Sequence, residues 1–234
     1  MDNKSTKLAR IIFLYLAALF VTSLVVSNLI FQKFIYWYPF NIDIFGSKLF
    51  ELSVGILPYP ITFLITDLIS EIYGQKKANQ VVIAGIFSSI FSILIILVAD
   101  FAPAIENSPV SDQIFTKVFS NSPLAVFASM ISYLFAQFVD IKIYHFWKKL
   151  TSGKHLWFRN NFSTFSSQFI DTFTVISLLT FFEILPPESF WGLVLSGFLF
   201  KVLIAAFYTP FLYLFVHFFR KKFNLQVGQE IVLD

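Results

Sequence analysis

The stretch PYPITFLITDLISEIYG, residues 58–74, sets two carboxylates one helical turn apart inside an apolar run that prolines interrupt. Asp67 and Glu71 fall in the last turns of a helix that Gly74 is well suited to close. Local physics disfavours acids there. The helix dipole prefers cations at its C-terminus, and like charges four residues apart repel. Two accounts are open. Either Lys76 and Lys77 neutralise the pair at a membrane surface, or at least one carboxylate reaches into a bundle to hold a ligand or a proton. Pro58 and Pro60 favour the second, because they free backbone carbonyls that can line a cavity.

Three more intramembrane charges need partners. Asp140 and Asp171 end the matching pentads AQFVD (136–140) and SQFID (167–171). Glutamine precedes aspartate by three residues in each, so Gln137 shares a helix face with Asp140, and Gln168 with Asp171. The two helices run in opposite directions, which points to an inverted repeat with a transport site at its interface. Coincidental polar packing between helices is the competing account. Lys201 lies well inside SGFLFKVLIAAFYTPF. A charge at that depth costs at least ~2.5 kcal/mol, so it faces the bundle and pairs. Asp140 and Asp171 are the expected partners. Asp171, the deepest acid, is the expected ligand-binding carboxylate.

Paired aspartates could also do general acid–base work, as in an intramembrane aspartyl protease. The Gly-x-Gly-Asp context of such enzymes is absent. There is no cysteine and there are three scattered histidines, so neither thiolate chemistry nor a metal cage is expected. No Gly-x-x-x-x-Gly-Lys loop is present for nucleotide hydrolysis. The chain is expected to be no enzyme, to use no cofactor and to bind no nucleic acid.

The elements that position these residues are membrane helices. Of 234 residues 57% are hydrophobic, 20% aromatic and 13% charged, with mean hydropathy +0.75. Soluble domains carry about 25% charged residues. Apolar runs of spanning length fall at roughly 9–31, 52–72, 78–99, 119–147, 161–183 and 190–218. The expected fold is all-α: a polytopic membrane protein of six transmembrane helices in one domain, 1–234. The runs lack barrel alternation. MDNKSTKLAR precedes a run too long for a signal-peptide core, so it is read as leading into an uncleaved first helix.

Cations set the orientation. Lys4, Lys7, Arg10, Lys76, Lys77, Lys148, Lys149, Lys154, Arg159, Arg220, Lys221 and Lys222 fall on one side, against Lys33, Lys48 and Lys117 on the other. Both termini are therefore expected in the cytoplasm, with the chain in the inner membrane. Residues 32–50, with Tyr36, Trp37 and Tyr38, read as an outer-interface hairpin or cap, and 100–118 as an exterior loop.

PYPITFLITDLISEIYGQKKA resembles the signature of the queuosine-precursor transporter family, also called vitamin uptake transporters. Pro60, Phe63, Thr66, Asp67, Glu71, Tyr73 and Gly74 fit it, with Gln75 where lysine is common. LWFRNNFSTFSSQFIDT (156–172), AQFVDIKIYHFWK (136–148), Ser27-Asn28, and Lys201 with Thr209-Pro210 match in order along nearly the whole chain. The resemblance implies six helices and uptake of 7-deazaguanine bases such as preQ0, preQ1 or queuine. It adds Asn28 and Lys201 to Asp67, Glu71, Gln137, Asp140, Gln168 and Asp171 as substrate-site candidates. The chemistry is compatible. A carboxylate accepts from the N1–H and exocyclic amine of such a base, an amide donates to its carbonyl, and aromatic rings stack on its plane at ~1–3 kcal/mol per base. The alternative is a substrate-capture component of an energy-coupling vitamin transporter. Such proteins dock through small-xxx-small spacing on the first helix, where this chain offers Ser23 and Ser27. Whether the protein forms a homodimer is left open.

Overall fold

The computed structural model describes residues 3–31, 33–36, 43–44, 47–48, 50–120 and 123–233. The expectations for Trp37 and Tyr38 lie outside these residues. The chain begins with α1 (Asn3–Ile30). Four short strands follow: β1 (Phe34–Tyr36), β2 (Asp43–Ile44), β3 (Ser47–Lys48) and β4 (Glu51–Ser53). β1 pairs antiparallel with β4, Ile35 opposite Leu52, and β2 pairs with β3. A hairpin therefore does stand in this segment. A 3-10 turn (Val54–Ile56) then leads into α2 (Tyr59–Ile72) and α3 (Gln75–Asp100). The loop after α3 contains the short α4 (Asp112–Phe115). The long helices α5 (Pro123–Leu150), α6 (Leu156–Phe181) and α7 (Phe190–Phe223) complete the bundle.

Among the described residues four helical segments are long and apolar enough to cross a membrane: Asn3–Ile30, Val54–Ile72, Gln75–Asp100 and Pro187–Phe223. α5 and α6 have the length, 28 and 26 residues, but carry most of the buried polar side chains. They pack more extensively on each other than any other pair of elements.

α2 is the central element. It contacts α1, α3, α5 and α7, and ten of its 14 residues are buried. Five of those ten, Thr62, Thr66, Asp67, Ser70 and Glu71, are polar or charged, so the surrounding helices must both enclose the apolar face and supply partners for the polar one. It starts at Tyr59 rather than residue 52 because Pro58 and Pro60 are tolerated only at a helix start. α3, by contrast, turns Ile83, Phe87, Phe91, Leu94 and Val98 outward, as a lipid-facing helix does.

The α2–α3 junction is a two-residue turn. Gly74 has φ +82° and donates to the Ile69 carbonyl at 3.1 Å, closing the helix as expected. The positive φ is what requires glycine; a Cβ there would also lie 2.2 Å from Oε2 of Glu230, whose flexible carboxylate end would have to move aside. The turn lies at the end of the bundle where Lys148, Arg159 and Arg220 meet Glu71. Tyr73 donates its hydroxyl to the Ala9 carbonyl at 3.0 Å, and the Ile231 amide donates to the Ile72 carbonyl at 2.7 Å. At the opposite end Ser27 donates to the Gly55 carbonyl and Ser53 to the Phe31 carbonyl, tying α1 to the strand-bearing segment.

The expected runs 119–147 and 161–183 put Lys148 and Arg159 in the connection between two helices, and the structure corrects this. α5 extends to Leu150 and α6 begins at Leu156, so both are helical and buried, Arg159 fully.

Candidate functional site

The buried charges separate into three groups along the bundle. The first lines a cavity of about 450 Å³ at the strand-bearing end, between α1, α2, α3, α5, α6 and α7. Its wall is mostly aliphatic, with Leu24, Ile86, Val175, Ile176, Leu179 and Leu193 among its residues. Asp171 on α6 and Lys201 on α7 form its charged centre. Lys201 Nζ lies 2.5 Å from Asp171 Oδ2, and the Tyr59 hydroxyl donates to the same oxygen. Both bonds use Oδ2, which leaves Oδ1 the acceptor capacity for a ligand. Lys201 Nζ also stands 4.8 Å from the Tyr59 ring centroid, within cation–π reach. Tyr59 packs edge-on against Tyr133 at 5.4 Å, and Gln137 Nε2 donates to the Tyr133 hydroxyl at 2.7 Å. Asn28 also lines the cavity and donates to Ser89 at 3.4 Å.

The second group lies deeper. Asp67 and Asp140 are each 1% exposed, and their carboxyls face one another. The Tyr208 hydroxyl donates to Asp67 at 3.1 Å, and Ser167 donates to Asp140 Oδ1 at 2.9 Å. Among the described residues no Lys or Arg pairs with either acid. Gln168 borders a small crevice beside Tyr59, Lys201 and Tyr208.

The third group closes the basic end around Glu71. Arg159 Nη2 lies 2.5 Å from Oε2, Tyr144 donates to Oε2 at 2.8 Å, Arg220 pairs with Oε1, and Lys148 Nζ is 3.7 Å away. Lys148 also donates to the Ser70 and Glu71 carbonyls at 3.2 and 3.0 Å and to Glu230 Oε1 at 2.8 Å. It thereby satisfies carbonyls that the end of α2 leaves open. The acid that local physics disfavoured at this helix end is balanced from α5, α6 and α7. The Lys76–Lys77 account is thus replaced, and Lys77 instead lies 5.7 Å over the Phe13 ring.

Of the eight candidates, Asn28, Asp171 and Lys201 line the cavity. Asp67, Gln137, Asp140 and Gln168 stand behind it, and Glu71 is at the far end of the bundle. Sequence reasoning had not singled out Tyr59, Tyr133, Thr172 or Ser89 in the wall, nor Tyr144 and Arg220 at Glu71. The signal for Tyr59 was its place between two prolines at the helix start. The others have no local signature.

The described residues hold no group of acids and histidines suited to a metal ion. What the geometry defines is a bundle with a ligand-sized, largely apolar cavity and one charge-neutral polar centre, which is a small-molecule carrier's arrangement.

Comparison with known proteins agrees. Residues 53–215 match the family model described as "Putative vitamin uptake transporter", and the chain belongs to that family of membrane transporters, which are not enzymes. It is 27% identical over 176 residues, 74% of each chain, to the "Probable queuosine precursor transporter" of Bacillus subtilis (strain 168). No solved structure matches.

Proposed function

We propose that this protein takes up queuosine precursors, 7-deazaguanine bases, across the inner membrane, and that Asp171 in the strand-end cavity is the carboxylate that reads the base. The observation that carries this is the placement of Asp171, Lys201 and Tyr59 together in the wall of an otherwise apolar cavity. Asp171 Oδ1 accepts from the N1–H and amine edge, Lys201 or an amide donates to the adjacent carbonyl, and Tyr59 or Tyr133 offers a ring to the base plane. Asp67, Gln137, Asp140 and Gln168 support this wall from behind, and Asn28 borders it. Glu71 acts as a structural anchor. The relative's printed name favours this substrate class.

The proposal includes six spans in a single 1–234 domain. α5 and α6 cross as a polar pair shielded by the four apolar segments, because buried helices need not be apolar on the faces they share. Both termini face the cytoplasm, and the cavity opens outward. The pentad relation is read as the trace of an inverted repeat. Self-association as a homodimer is kept as part of the proposal, and nucleic acid is not a partner. The energy-coupled capture component remains the second reading. One observation weighs against it: Ser27, half of the small-residue pair on α1, is buried against Gly55 and is not an open docking face.

The test is uptake of labelled preQ0, preQ1 and queuine by cells lacking their own carrier and any energy-coupling proteins. Uptake by the wild type and loss in Asp171→Asn, with membrane expression retained, is the expected result. Normal uptake by Asp171→Asn refutes the carboxylate account. Uptake only when energy-coupling proteins are supplied assigns the chain to the capture class.

A further inference from the structure

We infer that the cavity selects bases whose 7-substituent is uncharged over those that carry an alkylammonium there, so that the 7-cyano base preQ0 is preferred to the 7-aminomethyl base preQ1. This rests on the reading of the cavity as the base-binding site.

A ligand ammonium needs a carboxylate or an aromatic face when it leaves water, because a buried cation without either is strongly disfavoured. The cavity has both, and the protein's own cation already uses them. Lys201 Nζ is 2.5 Å from Asp171 and 4.8 Å from the Tyr59 ring centroid. Tyr59 reinforces the arrangement by donating its hydroxyl to the same carboxylate oxygen. Among the described residues Asp171 is the one acid in the cavity wall. The pair therefore sums to zero charge, and a second cation would make the site net positive in surroundings of low dielectric.

The rest of the wall offers no second carboxylate. It is largely aliphatic, its other aromatic faces are Phe31 and Tyr133, and its remaining polar groups are hydroxyls and the Asn28 amide, which carry no charge. A ring face alone does not offset the repulsion of a second cation beside Lys201. Asp67 and Asp140 do not line the cavity, and neither do the acids Glu71 and Glu230 of the basic end. With Oδ1 of Asp171 taken by the base edge and Oδ2 by Lys201 and Tyr59, an aminomethyl cation would have to displace Lys201, and so leave a largely buried lysine unpaired, or lose its proton on binding. A nitrile makes neither demand.

The experiment is competition at neutral pH in carrier-deficient cells expressing the full chain. Uptake of labelled preQ0 is titrated with unlabelled preQ0, with preQ1, and with unsubstituted 7-deazaguanine as a second neutral base. The expected result is half-inhibition by preQ1 at a concentration at least tenfold above that of preQ0, with 7-deazaguanine nearer preQ0. Raising the pH toward the amine's own pKa should narrow the preQ1 gap. Lys201→Gln, which removes the resident cation and leaves Asp171 without it, is read by ligand-induced thermal stabilisation of the purified protein rather than by uptake, and there preQ1 should gain on preQ0. Equal or stronger inhibition by preQ1 in the wild type overturns the inference while leaving the transport reading intact. If no 7-deazaguanine is taken up, both fail.

Discussion

Replacing Glu71 by glutamine tests the logic of the basic end. Glu71 is 1% exposed and takes charge from three cations: Arg159, fully buried, Lys148, with its side chain 7% exposed, and Arg220, 22% exposed. Removing one member of a buried ion pair costs about 3–5 kcal/mol, because the partner is left charged and dry. Here the loss is that of the central anion, so Arg159 in particular is stranded beside two like charges. At about 2–4 °C per kcal/mol for a chain of this length, Glu71→Gln should lower the unfolding midpoint by roughly 6–20 °C. Arg220→Met is the control. It leaves Glu71 with two cations, and Arg220 is the most exposed member, so its loss should cost far less. The assay is thermal unfolding of purified protein in detergent, with fluorescence size exclusion after heating as a second readout. A midpoint for Glu71→Gln within 2–3 °C of wild type, or one matched by Arg220→Met, would show that the cluster does not hold this end together. A double variant, Glu71→Gln with Arg159→Met, should recover part of the loss, since it removes the stranded cation along with its partner.

Other consequences can be checked separately. Tags on both termini should be reachable only from the cytoplasm, and labelling of either in intact cells would reverse the orientation. Lys201→Met should abolish uptake, because it leaves Asp171 as an unpaired buried anion, whereas Lys33→Met, at an exposed position, should be silent; equal tolerance of both would contradict the pairing. Gly55→Ala should destabilise the protein by about 1–3 kcal/mol, since its Cβ would come within 2.7 Å of the Ser27 carbonyl oxygen. Gly197→Ala, where the nearest atom is a Thr172 methyl at 3.2 Å, should be milder by the same melting assay.

The membrane class, the run of helices and the Gly74 turn could be read from the chain, because apolar length and backbone permissiveness are local properties. That Lys201 needed an acid was also legible: the desolvation penalty of a cation in an apolar run must be met whatever the fold. Which acid meets it was not, since α5 and α6 both offered one, and only the packing of α6 on α7 brings Asp171 within reach. Helix boundaries failed where polar residues were taken for loops. LWFRNN looks like a connector because arginine and paired asparagines are costly in a membrane. Yet Arg159, Asn160 and Asn161 are all buried in α6. The arginine's charge is met by Glu71, and the Asn161 side-chain oxygen accepts from Thr209, both far away in sequence, and no window of neighbouring residues contains that information.

The matched pentads show the same limit from the other side. AQFVD and SQFID share spacing, and spacing fixes which residues share a helix face. It does not fix what that face meets. Asp171 meets Lys201 and Tyr59 at the cavity, while Asp140 meets Ser167, which belongs to the other pentad. Two segments of like sequence on adjacent antiparallel helices thus take unlike roles, because one packs against α7 where a cation arrives and the other against α2 where none does. The acid with a cation lines the cavity, and the acid without one lies behind it facing Asp67. An assignment of transport roles to these two aspartates must follow their neighbours rather than their motif. By that criterion Asp171→Asn and Asp140→Asn should give different uptake phenotypes despite identical chemistry.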